Sequence, residues 1–98
     1  MNHYMSVRRY ATSGPTDVIV RIVTEGFVPI IREAPGFIAF YVVDGGDGSL
    51  ASVSIFTDQA GADASNRMAA GYIAENLASR LALQDVVAGS VVVEATIA

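Results

Sequence analysis

The side chains that invite a chemical reading are few: the single histidine His3, the charged pair Arg8 and Glu94, and the aspartates Asp44 and Asp47. A histidine titrates near neutrality and suits a general base, but the position of His3 at the chain start predicts a surface residue. Asp44 and Asp47 lack the Asp-x-Asp-x-Asp spacing and the distal Glu of a calcium loop. Their setting, Asp44-Gly45-Gly46-Asp47-Gly48, reads as a hairpin connection, with glycines supplying positive φ and aspartates tolerating it. Arg8 and Glu94 fall on one sheet face, on strands expected to be neighbours. An ion pair across the strands or across a dimer is the preferred reading, because charges in an interface need partners; anchoring of a substrate is the alternative. The chain has no cysteine, which removes disulfides, thiolate chemistry and zinc–thiolate sites. It has no Gly-x-Ser-x-Gly elbow, Walker loop or dinucleotide fingerprint.

The elements that must position any site follow from the hydrophobic pattern. A first strand covers His3–Ala11 and closes at Thr12-Ser13-Gly14-Pro15. Ser13 or Thr16 caps a first helix, and Asp17 places negative charge at its positive end. Ile19, Ile22, Val23, Phe27, Ile30 and Ile31 recur at three and four residues, which predicts a core-facing stripe up to about Glu33. Pro29 has no N–H for the Glu25 carbonyl, so a kink is predicted there. Ala34-Pro35-Gly36 ends the helix. A second strand spans Phe37–Val43 and a third Leu50–Thr57. Asp58 caps a second helix running to about Leu83, and a fourth strand spans Val86–Ile97. The order is βαββαβ, an α+β ferredoxin-like sandwich in a single domain over residues 1–98.

Composition bounds the partners. Of 98 residues 52% are hydrophobic, and mean hydropathy is +0.44, rich for a chain that buries only about two-thirds of its surface. Some of that apolar surplus is expected in an interface. A net charge of −4 with only six scattered Lys+Arg offers no basic face for nucleic acid or an anionic membrane. No apolar run reaches the ~20 residues of a membrane helix and no signal-type segment opens the chain, so the reading is soluble and cytoplasmic.

Period-2 counting assigns the two sheet faces. One carries Met5, Val7, Ile38, Phe40, Val42, Ala51, Val53, Ile55, Val91, Val93, Ala95 and Ile97, wholly apolar, and is predicted to lie under the helices. The other carries Tyr4, Ser6, Arg8, Tyr10, Phe37, Ala39, Tyr41, Val43, Leu50, Ser52, Ser54, Phe56, Ser90, Val92, Glu94 and Thr96. With both helices already used, this aromatic and hydroxylated face needs a cover, and a second copy's sheet is the simplest. The expected assembly is a homodimer with a moderately polar interior. Gly26 and Gly71 sit inside the predicted helices. Close helix–sheet packing is the preferred reading, and room for a ligand, shared with Ala69, Ala70 and Ala74, is the alternative.

The βαββαβ order, with Ala34-Pro35-Gly36-Phe37 leading into the second strand and Val53-Ser54-Ile55-Phe56-Thr57-Asp58 leading into the second helix, resembles the antibiotic biosynthesis monooxygenase family of the dimeric α/β-barrel superfamily. The resemblance spans essentially the whole chain. It implies a dimeric α/β barrel and a cavity between helices and sheet in each subunit. The activities it brings are cofactor-independent oxygenation of quinol-type aromatics and haem degradation. The haem-degrading pattern of Asn, Trp and His falls on Val7, Phe56 and Asn66 (or Ser65), and all three depart, so haem is not expected.

For the oxygenases the resemblance implies Trp, Asn, Tyr and Arg groups that bind the substrate and help deprotonate it, with no metal and no cofactor. Carried onto this chain, Tyr72 and Asn66 are the catalytic candidates, with Phe56 as a stacking wall and Val7 and Arg67 as further substrate-binding positions. Helical spacing does not turn Asn66, Arg67 and Tyr72 inward together; Tyr72, beside Ile73, is the favoured one. Two readings follow: a cofactor-independent monooxygenase of a small aromatic or quinol-type metabolite, or a non-catalytic dimeric module that binds a small apolar ligand or serves in assembly. The module reading predicts either a filled core or a cavity without converging polar groups.

Overall fold

The computed structural model describes residues 3–97. The chain runs β1 (Tyr4–Thr12), α1 (Thr16–Ile22), a π-helical turn (Val23–Phe27), α2 (Val28–Ile31), β2 (Phe37–Gly46), β3 (Ser49–Phe56), α3 (Gln59–Asn76) and β4 (Leu81–Ser90). The four strands form one antiparallel sheet in the order β2-β3-β1-β4. The helices cover one face, so the expected ferredoxin-like α+β architecture is the one observed.

Local chemistry explains the deviations. Neither Ser13 nor Thr16 caps α1, which starts after an extended Pro15 with no side-chain bond. The first helix is interrupted where Pro29 cannot donate and its ring crowds the preceding turn. The backbone widens by one residue, and the Val28 N–H bonds the Val23 carbonyl five residues back. The β2–β3 connection is tighter than the five residues expected. Only Asp47 (φ 52°) and Gly48 (φ 76°) form the turn, a pair of positive φ angles typical of a two-residue hairpin. Asp58 does cap α3, its Oδ1 accepting the Gly61 N–H at 2.9 Å.

The fourth strand is a correction. The second long helix ends at Asn76, seven residues before the expected Leu83, and β4 is Leu81–Ser90 rather than Val86–Ile97. Leu77, Ala78, Leu81, Ala82 and Leu83 are helix formers by propensity, yet Leu77 turns out of the helix to plug the core (1% exposed). The Arg80 and Leu81 N–H groups both close on its carbonyl. Residues 91–97 follow as a tail, tied at its start by the Val91 N–H to the His3 carbonyl (2.8 Å) and otherwise largely exposed.

The face assignment also reverses in β1 and β3. Ser6, Arg8, Tyr10, Leu50, Ser54 and Phe56 are the buried residues, under the helices. Their alternates Met5, Val7, Val53 and Ile55 lie on the open face. In β2 an irregularity between Phe37 and Ala39 lets both Phe37 and Phe40 turn to the helix side, which strict alternation forbids. Tyr41 and Val43 then join the open face, 58% and 53% exposed, with Val87 of β4 at 69%. The uncovered face is therefore the apolar one, and the expectation of a moderately polar dimer interior is corrected. Arg9 and Asp85 form its one ion pair among the described residues (Nη2–Oδ2 2.6 Å). The hydrogen bond from Arg9 holds the Asp85 carboxyl below its ordinary range.

Candidate functional site

Two apolar clusters hold the helices on the sheet. Tyr10, Ile19, Leu50, Leu77 and Leu81 form one; Phe27, Ile31, Ala34, Phe56 and Ala62 form the other. Between helices and sheet lies a cavity in which the centre of a water molecule is free over about 50 Å³. One water needs roughly 10–15 Å³ by that measure, so the space exceeds a single solvent site. Phe27, Phe40, Tyr72, Val23, Ile73 and Ala69 supply its apolar walls. Phe27 packs edge-on to Phe40 (centroids 5.7 Å apart) and tilted against Tyr72 (5.5 Å). Val20, Val23, Phe40 and Val42 of its lining also border an adjoining groove, together with Thr24 and Val28.

The polar groups come from β1 and α3. On α3 the spacing Ala62, Ser65, Asn66, Ala69, Tyr72, Ile73 follows the three–four repeat that turns one face to the sheet. Asn66 and Tyr72 both line the cavity. The Asn66 Oδ1 accepts the Ser6 hydroxyl at 2.9 Å, which fixes the amide and leaves its NH₂ without a partner among the described residues. Tyr72 is held differently. Its hydroxyl donates to the Ile22 carbonyl (3.1 Å), next to the widened turn. A Cβ on Gly26 would overlap that hydroxyl, so the glycine makes room for Tyr72 between two helices, not for close helix–sheet packing. Gly71 has nothing within 4 Å of a Cβ, and packing does not explain it.

The remaining expected residues lie elsewhere. Val7 points to the open face, because its neighbours Ser6 and Arg8 take the inward positions of the pleat. Arg67 is exposed on the solvent side of α3. Phe56 is fully buried against Phe37 (5.9 Å, edge-to-face) and does not line the cavity. The stacking surfaces are Phe27 and Phe40.

Sequence reasoning preferred an ion pair for Arg8 and kept substrate anchoring as the alternative. Its preferred pairing with Glu94 does not form: Glu94 lies 3.4 Å from His3 Nδ1, outside β4. Arg8 is instead buried (8% exposed) and lines the cavity. Its Nε donates to the Tyr10 hydroxyl at 2.7 Å, and the guanidinium lies 5.7 Å from that ring's centroid. The available signal was an arginine alternating with Ser6 and Tyr10 on a strand of a chain with a hydrophobic surplus. Among the described residues no carboxylate or histidine lines the cavity, and no three His, Cys, Asp or Glu converge as a metal site.

With that geometry in place, the chain superimposes on SnoaB, a cofactor-independent oxygenase from Streptomyces nogalater. The TM-score is 0.69 over 99% of this chain and 98% of that one, at 18% identity. A monooxygenase from the gene ActVA-Orf6 of Streptomyces coelicolor, in complex with the ligand nanaomycin D, matches with a TM-score of 0.68 at 17% identity, over 97% of this chain and 90% of that one. A dimeric ferredoxin-like protein from an uncultured marine organism gives 0.70 at 12% identity, over 97% and 100%. The class these likenesses define is the ferredoxin-like α+β fold. The same fold is found in a protein described as an antibiotic biosynthesis monooxygenase from Chloroflexus aurantiacus J-10-fl, with a TM-score of 0.69 at 16% identity, over 98% of this chain and 99% of that one. No protein-family model and no curated protein matches the chain.

Proposed function

We propose that the chain is a cofactor-independent monooxygenase of a small aromatic or quinol-type metabolite, working as a homodimer in the cytoplasm. The observation that carries this reading is Asn66, held by Ser6 through its Oδ1 and lining a cavity walled by Phe27, Phe40 and Tyr72, with no partner for its NH₂ among the described residues. A module that merely holds an apolar ligand has no use for an oriented donor there. The relationship in fold to SnoaB and the ActVA-Orf6 monooxygenase supports the same chemistry.

An activated ring methylene, once deprotonated, is electron-rich enough to reduce oxygen itself. The overall change is R₂CH₂ + O₂ → R₂C=O + H₂O: one oxygen atom ends on carbon, the other leaves as water with the two hydrogens. The protein's part is to hold the anion away from bulk water and stabilise its charge. Asn66 donates to the developing oxyanion. The aromatic walls fix the ring plane. Tyr72, its proton committed to Ile22, presents oxygen lone pairs that orient a substrate hydroxyl. Among the described residues no carboxylate or histidine base lines the cavity, so the substrate proton leaves to water.

The homodimer rests on the open sheet face, where Met5, Val7, Tyr41, Val43, Val53 and Val87 form an apolar surface that a second sheet would cover. The exposed tail, with Val92, Val93 and Ile97, adds apolar surface of the same kind. The enzyme reading is tested by oxygen uptake with an anthrone as substrate. Uptake above the uncatalysed rate, falling at least tenfold in Asn66→Ala, supports it; no uptake above background across anthrones and quinols overturns it.

A further inference from the structure

Two adjacent arginines on β1 are treated in opposite ways. Arg9 is exposed and forked onto Asp85 by three hydrogen bonds, the ordinary surface arrangement. Arg8 is buried beneath the helices, and no carboxylate pairs with it among the described residues. A buried cation without a counter-charge is costly, and an apolar side chain of the same length would fill the space at no such cost. Its Nε is taken by Tyr10. Its two terminal nitrogens have no hydrogen-bond partner among the described residues, and no buried side-chain nitrogen or oxygen among those residues lacks one. Those nitrogens therefore face accessible space, and the accessible space beside Arg8 is the cavity.

We propose that Arg8 is a carboxylate-binding residue and that the substrate is a hydroxyaromatic carboxylic acid, its carboxylate bound end-on by the two terminal nitrogens. The inference rests on the reading of the cavity as the substrate site. A guanidinium with Nε occupied still offers a parallel pair of N–H donors, the geometry a carboxylate matches and a single phenolate oxygen does not. Ser6, which orients Asn66, lies two residues from Arg8 on the same face, about 7 Å along the strand at ~3.4 Å per residue. The carboxylate and the oxidised carbon are thus held at opposite ends of the ring system. The same contact sets specificity, since a neutral ligand leaves Arg8 uncompensated.

Equilibrium dialysis at pH 7 with 6-hydroxy-2-naphthoate, its amide and 2-naphthol tests this on the intact chain. The acid is expected to bind at least tenfold more tightly than either neutral compound, and higher salt reduces that advantage. In Arg8→Met the acid loses at least tenfold while the amide changes less than twofold. Equal affinity for acid and amide, or equal loss of both in Arg8→Met, overturns the assignment and leaves Arg8 a packing residue. Absence of acid binding at millimolar concentration overturns it too. If Arg8→Met fails to fold, the acid-to-amide ratio of the unaltered protein decides alone. Oxygen uptake with an anthrone but no acid preference removes only the carboxylate site. Acid preference without any oxygen uptake removes only the monooxygenase.

Discussion

Replacing Gly26 with alanine separates packing from helix propensity, because the two effects have opposite signs. In a helix interior Gly→Ala is worth about 1 kcal/mol in favour of alanine. At Gly26 the new methyl would overlap the Tyr72 hydroxyl and lie 2.9 Å from its Cζ. Tyr72 must then shift, giving up its bond to the Ile22 carbonyl and its fit against Phe27. Overpacking costs about 1–3 kcal/mol and the lost hydrogen bond about 0.5–1.5 kcal/mol. Set against the propensity gain, the net expectation is a loss of about 0.5–3.5 kcal/mol. For a chain of this length each kcal/mol moves the melting temperature by about 4–8 °C. Gly71→Ala, with no atom within 4 Å of the new carbon, should instead raise it. The assay is thermal unfolding followed by circular dichroism at one fixed protein concentration, since self-association makes Tm concentration-dependent. Tyr72→Phe removes the overlapping oxygen, so the double variant Gly26→Ala/Tyr72→Phe should be less destabilised than the sum of the singles. Gly26→Ala melting at or above the parent, or additive effects in the double variant, would refute the contact.

Other outcomes follow from single contacts. Asp58→Ala removes the acceptor for the Gly61 N–H and should cost about 1 kcal/mol, read as a lower denaturation midpoint with unchanged slope. Asp58→Asn should restore most of it. Val87→Glu places a charge on the open face and should shift the light-scattering mass towards the 10.3 kDa of one chain without unfolding it. A parent mass already near that value would remove the dimer.

The order of elements was legible because each is announced by local chemistry: Pro35-Gly36 stopping a helix, Asp47-Gly48 turning a hairpin, Asp58 capping α3. The sheet faces were not. Alternation reports which residues share a face, and assigning the faces then assumes that the oilier one lies under the helices. Here Ser6, Arg8 and Ser54 lie there because the helices enclose a cavity, and the oilier face is left open. Tertiary packing of Leu77 overrode helix propensity at the end of α3, which moved β4 towards the N-terminus and stranded Glu94 away from Arg8. Of the site, Tyr72 was legible as the inward residue of α3; Asn66 lies about 120° from it around the helix, so spacing alone did not bring the two together. The role of Arg8 depends on what it fails to touch, which no spacing reveals.

The central claim is that the space between α3, the widened turn and the sheet takes an aromatic ligand. A ¹H–¹⁵N NMR titration with 6-hydroxy-2-naphthoate tests it most directly. The account predicts shifts concentrated at Arg8, Phe27, Phe40, Asn66 and Tyr72, including the Asn66 side-chain NH₂ pair. Shifts confined to Tyr41, Val43 and Val87 on the open face, or none at saturating ligand, would contradict it.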